Sequence, residues 1–191
     1  MKKYFTLAQW IEKLKASGKL LNLTTLKRLS GIEEEASIRK SVSRLVKKGI
    51  IKKVGKGLYL NTFNPSSTEE LAMVLKKPCY ISFESALSYY GIISQIPFVL
   101  TCATTGKPYK SEKIVFHHIS PKLFWGYIGE HSIFYAEKEK ALLDWIYWFR
   151  KTQSVDLHLD EFDFSLLNRK KLKKYSKKFP ETVRNVLKDI L

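Results

Sequence analysis

The chain has 191 residues, room for one large or two small domains, with 45% hydrophobic and 13% aromatic residues, enough to build packed cores rather than a disordered tail. Its net charge of +16 is uneven: residues 1–64 hold 15 Lys/Arg against 4 Asp/Glu, residues 65–164 hold 10 against 12, and residues 165–191 hold 9 against 2. Positive charge gathered at both ends favours a polyanionic partner, nucleic acid ahead of a membrane surface. Two cysteines without metal spacing (Cys79, Cys102), no continuous apolar stretch after Met1-Lys2-Lys3 and no long apolar run speak against a disulfide framework, a signal peptide and a membrane span. The expectation is a soluble, cytoplasmic protein that does not engage membranes.

Thr6-Leu7-Ala8-Gln9 has the form of a capping box, and Leu7, Trp10, Ile11 and Leu14 then share one helical face up to Gly18. A second helix is expected from Thr24 or Thr25 to Gly31, burying Leu26 and Leu29. A third opens near Glu33-Glu34-Glu35, carboxylates that suit the positive end of a helix dipole, and closes at Gly49. Its buried stripe is Ile38, Val42 and Leu45, and its opposite face presents Ser37, Arg39, Lys40, Ser43, Arg44 and Lys47.

That face has the chemistry of a groove reader. Arg makes two parallel hydrogen bonds to guanine, Lys and Ser reach phosphates, and the small serines permit close approach. A basic face on one helix is otherwise ordinary solvated surface. The segment that follows adds the specificity: Ile50–Val54 and Leu58–Leu60 are expected to be two strands joined by Gly55-Lys56-Gly57, carrying Lys52, Lys53 and Lys56 along one hairpin. Helix, helix, basic helix and Gly-tipped basic hairpin together predict a winged helix-turn-helix over residues 1–64.

Asn61 to Ser67 is expected to be a linker. Beyond it come a short helix to about Lys76, a break at Pro78, and a helix capped by Ser82 and ended by Gly91. Strands are expected at Phe98–Ala103, Lys113–Ile119, Leu123–Tyr127 and Ile133–Ala136, then a helix from Glu137 to Lys151 and two further helices parted near Pro180. The fold class predicted is α+β: the winged helix-turn-helix, then a mixed α/β domain over residues 65–191 with a small sheet and C-terminal helices.

Several motifs resemble one known family. The run from Arg39 to Ile51 leading into Val54-Gly55-Lys56-Gly57-Leu58-Tyr59 looks like the N-terminal winged helix of AbiEi-type antitoxins. Tyr80–Gly91 resembles the start of that family's second domain, and Glu137-Lys138-Glu139-Lys140-Ala141-Leu142-Leu143-Asp144 resembles its later helix, with Thr101–Thr105 and Phe124–Tyr127 in order between them. The resemblance implies a transcriptional regulator that represses its own operon from inverted-repeat operator DNA. It also implies an antitoxin of a type IV, phage-defence (abortive infection) system that counteracts a nucleotidyltransferase-like toxin without a stable complex. The alternative is a module that uses the winged helix for RNA or toxin contacts.

No catalytic, metal or cofactor site is expected. Adjacent His117 and His118 would point to opposite faces of a strand. Asp156, His158, Asp160, Glu161 and Asp163 match no metal-loop spacing. Glu137 or Glu139 with Lys140 offers the outline of a nuclease set without an upstream Asp. Glu84, Ser85, Tyr89, Lys138 and Asp144 either cap and bond internally or form a polar surface. The tail residues Arg169, Lys170, Lys171, Lys173, Lys174, Lys177 and Lys178 are either a solvated face or a second contact with nucleic acid.

Overall fold

Thr6 and Gln9 satisfy each other as their spacing predicts. The Gln9 amide donates to the Thr6 hydroxyl at 3.3 Å and the Thr6 amide donates to the Gln9 side chain at 2.8 Å, opening α1 (Leu7–Lys15). The structure is a computed structural model describing residues 5–152 and 159–188. The chain divides into two compact units, residues 1–67 and 68–191, and both mix helices with sheet.

The first unit continues with β1 (Leu20–Asn22), α2 (Leu23–Ser30), α3 (Glu35–Lys47), β2 (Ile51–Gly55) and β3 (Leu58–Asn61), the strands forming an antiparallel sheet of order β1-β3-β2. β1 has no signature in the sequence, because three residues are too few to show alternation. It exists because Leu20, Leu21 and Asn22 pair with Leu60, Tyr59 and Leu58. Asn22 then caps α2, its side-chain oxygen accepting the Thr25 amide at 2.8 Å, so the helix opens at Leu23 rather than at Thr24 or Thr25. Trp10, Leu14, Leu21, Leu26, Ile38, Val42, Leu45 and Ile51 form the core. Each such side chain contributes about 1.5–3 kcal/mol relative to exposure.

One polar residue is bound into this core. Asn61 is fully buried, and its amide donates to the carbonyls of Leu14 (2.8 Å) and Gly18 (3.1 Å) and to the Ser17 hydroxyl (3.1 Å). The end of β3 is thereby fastened to the end of α1.

The second unit contains α4 (Thr68–Leu75), β4 (Cys79–Ile81), α5 (Phe83–Tyr89), β5 (Leu100–Thr104), β6 (Tyr109–Lys110) and β7 (Ile114–His118). After these come β8 (Tyr127–Glu130), β9 (Ile133–Ala136), α6 (Lys138–Thr152), α7 (Arg169–Ser176) and α8 (Glu181–Lys188). The six strands form one mixed sheet of order β6-β7-β5-β4-β9-β8, parallel where β5 meets β7 and β4 meets β9. Period-two alternation decides the layers. Cys79, Ile81, Cys102, Ile114 and Phe116 face Ala72 and Met73 of α4, whereas Tyr80 and Ala103 face the larger core of α5 to α8.

Two expectations are corrected here. Leu123–Tyr127 is not a strand: Pro121–Leu123 is a single 3-10 turn, Gly126 has φ +72°, and pairing begins only at Tyr127. Ser82 occupies the N-cap position of α5 without a side-chain cap bond, because its hydroxyl is drawn instead to Asp144 at 2.8 Å. β4 has no signature in the sequence, since Pro78 and the adjoining helix signal hide a three-residue strand that is buried throughout.

Candidate nucleic-acid interface

α3 buries Ile38, Val42 and Leu45 and turns Arg39, Lys40, Ser43, Arg44 and Lys47 outward. The spacing of the buried residues, four and then three, forces this, since every residue between them is carried off the apolar stripe. The acidic N-terminus alters the picture for two of the predicted contacts. Arg39 Nε donates to Glu35 at 3.0 Å as an i,i+4 pair, and Ser37 is half-buried with its hydroxyl donating to Glu34 at 2.7 Å. The Arg39 hydrogen bond and charge hold the Glu35 carboxyl below its ordinary value. Lys40, Ser43, Arg44 and Lys47 have no partner among the described residues, so they are the side chains left available for a ligand.

The hairpin stands directly after this helix. Gly49 (φ +68°) reverses the chain while the Ile50 amide donates to the Leu45 carbonyl at 3.0 Å. At the tip Gly57, not Gly55, takes the left-handed conformation, and the register of β2 against β3 shifts between Lys53 and Gly55. Lys52, Lys53 and Lys56 are all exposed. As neighbours on a strand, Lys52 and Lys53 project to opposite faces, so one rigid phosphate row does not meet both.

The C-terminal tail is partly neutralised by the protein itself. Lys171 donates to Glu137 at 2.9 Å and pairs with Glu139 at 3.3 Å, while the Tyr175 hydroxyl donates to Glu137 at 2.5 Å. Partial burial acts to raise the Glu137 pKa, but Tyr175 and Lys171 outweigh it and the carboxyl titrates below its ordinary value. Lys178 lies 4.4 Å from the centre of the Trp125 ring. Arg169, Lys170 and Lys173 instead line a groove of about 460 Å³ between α7 and α8, together with Ser176, Arg184, Leu187 and Lys188. Arg184 and Lys188 did not stand out in the sequence; their i,i+4 spacing on the last helix was the available signal.

The second unit also holds a buried charge cluster. Lys140 and Asp144 form an ion pair with neither side chain exposed. Asp144 further accepts the hydroxyls of Tyr80 (2.9 Å) and Ser82 (2.8 Å), and Lys140 donates to Tyr80 at 2.8 Å. The rings of Tyr80, Trp125 and Phe179 each lie 5.3 Å from the Lys140 ammonium. Burial lowers the Lys140 pKa and raises that of Asp144, each opposed by the other's charge.

This arrangement settles where two groups of sequence candidates lie. Glu137 and Glu139 are held by Lys171, and the amide of Asn168 donates to Glu139 at 2.9 Å, while Lys140 turns inward to Asp144; the three do not converge. Glu84, Ser85 and Asp144 bond internally rather than forming a polar surface: Trp145 Nε1 donates to Glu84 at 2.9 Å and Ser85 binds the Thr101 amide at 2.8 Å. Burial pushes the Glu84 carboxyl up, and its second oxygen has no hydrogen-bond partner among the described residues. His117 packs between Phe83 and Trp148, and His118 Nδ1 meets the Gly106 carbonyl at 3.0 Å. Among the described residues no three His, Cys, Asp or Glu side chains are grouped to hold a metal; Asp156 and His158 lie outside those residues. Among them, too, no helix is long and apolar enough to cross a membrane.

The structure is similar to the crystal structure of the RV2827C protein from Mycobacterium tuberculosis, with a TM-score of 0.61 over 92% of this chain and 72% of that one. At 10% sequence identity this likeness concerns the fold alone. No curated protein matches the sequence. Residues 11–62 match the family described as transcriptional regulator, AbiEi antitoxin, and they span α2, α3 and the hairpin, the elements that present the basic face. It is this segment, residues 11–62, that is similar to the AbiEi antitoxin transcriptional regulators.

Proposed function

We propose that the first unit is a winged helix-turn-helix that binds operator DNA, with α3 in the major groove and the β2–β3 hairpin as the wing against the flanking backbone. The observation that carries this reading is the outward face of α3. Lys40, Ser43, Arg44 and Lys47 stand there without acidic partners among the described residues, and Lys52, Lys53 and Lys56 follow on the hairpin. Arg44 is assigned to a base edge, Lys40 and Lys47 to phosphates, and Ser43 to close approach. Arg39 and Ser37 join them by exchanging Glu35 and Glu34 for the ligand.

On this reading the chain represses its own operon from paired, inverted half-sites and serves as the antitoxin to a nucleotidyltransferase-like toxin, without a stable complex. Among the tail residues, Lys174 and Lys177 have no partner among the described residues and do not line the groove, so they are the ones assigned to a second phosphate contact. Footprinting on the DNA upstream of the gene tests the proposal, which requires protection of a defined site. Neutralising six to ten phosphates weakens binding by roughly 10³–10⁵ between 50 and 200 mM salt. A footprint that appears equally on unrelated DNA sinks the operator assignment.

A further inference from the structure

The second unit exposes an apolar tip in the connection between α5 and β5. Ile96 is 86% exposed and Phe98 fully so. Such residues on an unsupported loop would fold back onto the nearest apolar surface. Here both flanks are tied down. Ile93 bridges to Phe162, the Asp163 amide donates to the Ile92 carbonyl at 2.8 Å, Gln95 donates to Glu161 at 2.7 Å, and Ser85 holds the amide of Thr101. The tip is therefore presented, with Pro97 stiffening it between its two apolar residues.

The same ties give the tip an acidic border. Asp160, Glu161 and Asp163 are all exposed on the strip bonded to it, in a chain whose net charge is +16. Three carboxylates beside the tip repel a phosphate backbone, which argues against an apolar wedge for DNA. They attract a cavity with an apolar floor and a cationic rim.

The chain itself carries such a cavity. The α7–α8 groove has Leu187 in its lining, is open to solvent with a volume of about 460 Å³, and is rimmed by Lys170, Lys173, Arg184 and Lys188. Its space suffices for an aromatic and a branched aliphatic side chain together, and its charge is opposite to that of the tip's border. We infer that the tip of one copy, Ile96-Pro97-Phe98, docks in the α7–α8 groove of a second copy of the chain. Phe98 is the apolar anchor, and Glu161 and Asp160 meet Lys173 and Arg184 at the rim. Tip and groove are different patches, so the contact is heterologous. A single anchor with a small rim gives a weak contact, with Kd on the order of 10–100 µM.

Sedimentation of the full chain from micromolar to millimolar concentration tests this. The wild type gains mass with concentration, and less so at high salt because the rim pairs are screened. Phe98→Asp, and separately Lys173→Glu with Arg184→Glu, each weaken association at least tenfold. An equimolar mixture of the two variants restores association but stops at two chains, because only one intact tip and one intact groove remain. All three sites are exposed, and an unchanged circular dichroism spectrum confirms that the variants fold; Ile96→Ser supplies a second tip variant. The proposal is overturned by a wild type that stays at one chain's mass throughout, or by variants that associate as the wild type does. It is equally overturned if the groove variant loses DNA affinity while its self-association is unchanged, which makes nucleic acid the groove's occupant.

Discussion

Lys140 and Asp144, one turn apart on α6, form an ion pair from which water is excluded, and Asp144 also accepts the hydroxyls of Tyr80 and Ser82. The pair therefore joins α6 to β4 and to the start of α5 by charge as well as by packing. Removing one partner leaves the other charged and buried. Asp144→Ala is expected to destabilise the protein by about 3–5 kcal/mol. Lys140→Met with Asp144→Leu is expected to cost clearly less than the sum of the single changes, because no bare charge remains. Urea denaturation of Asp144→Ala, Lys140→Met, Asp144→Leu and the double variant checks this, and strict additivity refutes it.

Asn61 is the corresponding tie in the first unit. Asn61→Leu removes three donated bonds that fasten β3 to the end of α1. The expected cost is about 2 kcal/mol. Hydrogen exchange should speed up in α1 and β3 while the sheet of the second unit keeps its protection.

His117 gives the second unit a pH response. Burial against Phe83 and Trp148 lowers its pKa from 6.5 to about 4. The unfolded chain takes up the proton near 6.5 and the folded chain only near 4, so the stabilisation is complete above 6.5 and declines as pH falls through that window. His117→Phe is expected to flatten stability between pH 7 and pH 5. Denaturant midpoints at the two pH values measure it, and an unchanged slope rejects the assignment.

The Arg39–Glu35 pair makes an opposite prediction from Arg44. Glu35→Gln releases Arg39 and removes a carboxylate from the face assigned to DNA, so affinity should rise severalfold. Arg44→Ala should weaken specific binding by about 1–3 kcal/mol and relax the preference at one base position. Titrations at fixed salt on operator and random duplexes separate the two. Equal loss on both duplexes reduces Arg44 to a phosphate contact.

The readable parts of the chain were those in which adjacent residues carry the signal. The Thr6–Gln9 cap, the Ile38-Val42-Leu45 stripe and the hairpin glycine are local, since a helix face or a turn is determined within four or five residues. β1 and β4, each three residues long, have no such pattern and are strands only because a distant partner supplies their hydrogen bonds. The same reason applies to Leu123–Tyr127, where apolar composition suggests a strand but the neighbouring strand β9 pairs only from Tyr127 onward.

By itself the sequence determined which residues carry charge along α3, the hairpin and the tail, and it made the AbiEi resemblance visible. Only the tertiary structure decided which of those charges remain available. Arg39 is engaged by Glu35 within its own helix, Lys171 by Glu137 and Glu139 from a distant one, and Lys140 is withdrawn into the core beside Asp144. The structure also brought Arg184 and Lys188 beside Lys170 and Lys173, and held the Ile96–Phe98 tip outward next to three carboxylates. Formal charge belongs to each residue alone. Its availability depends on solvent and on counter-charges that reach it through space, and folding sets both.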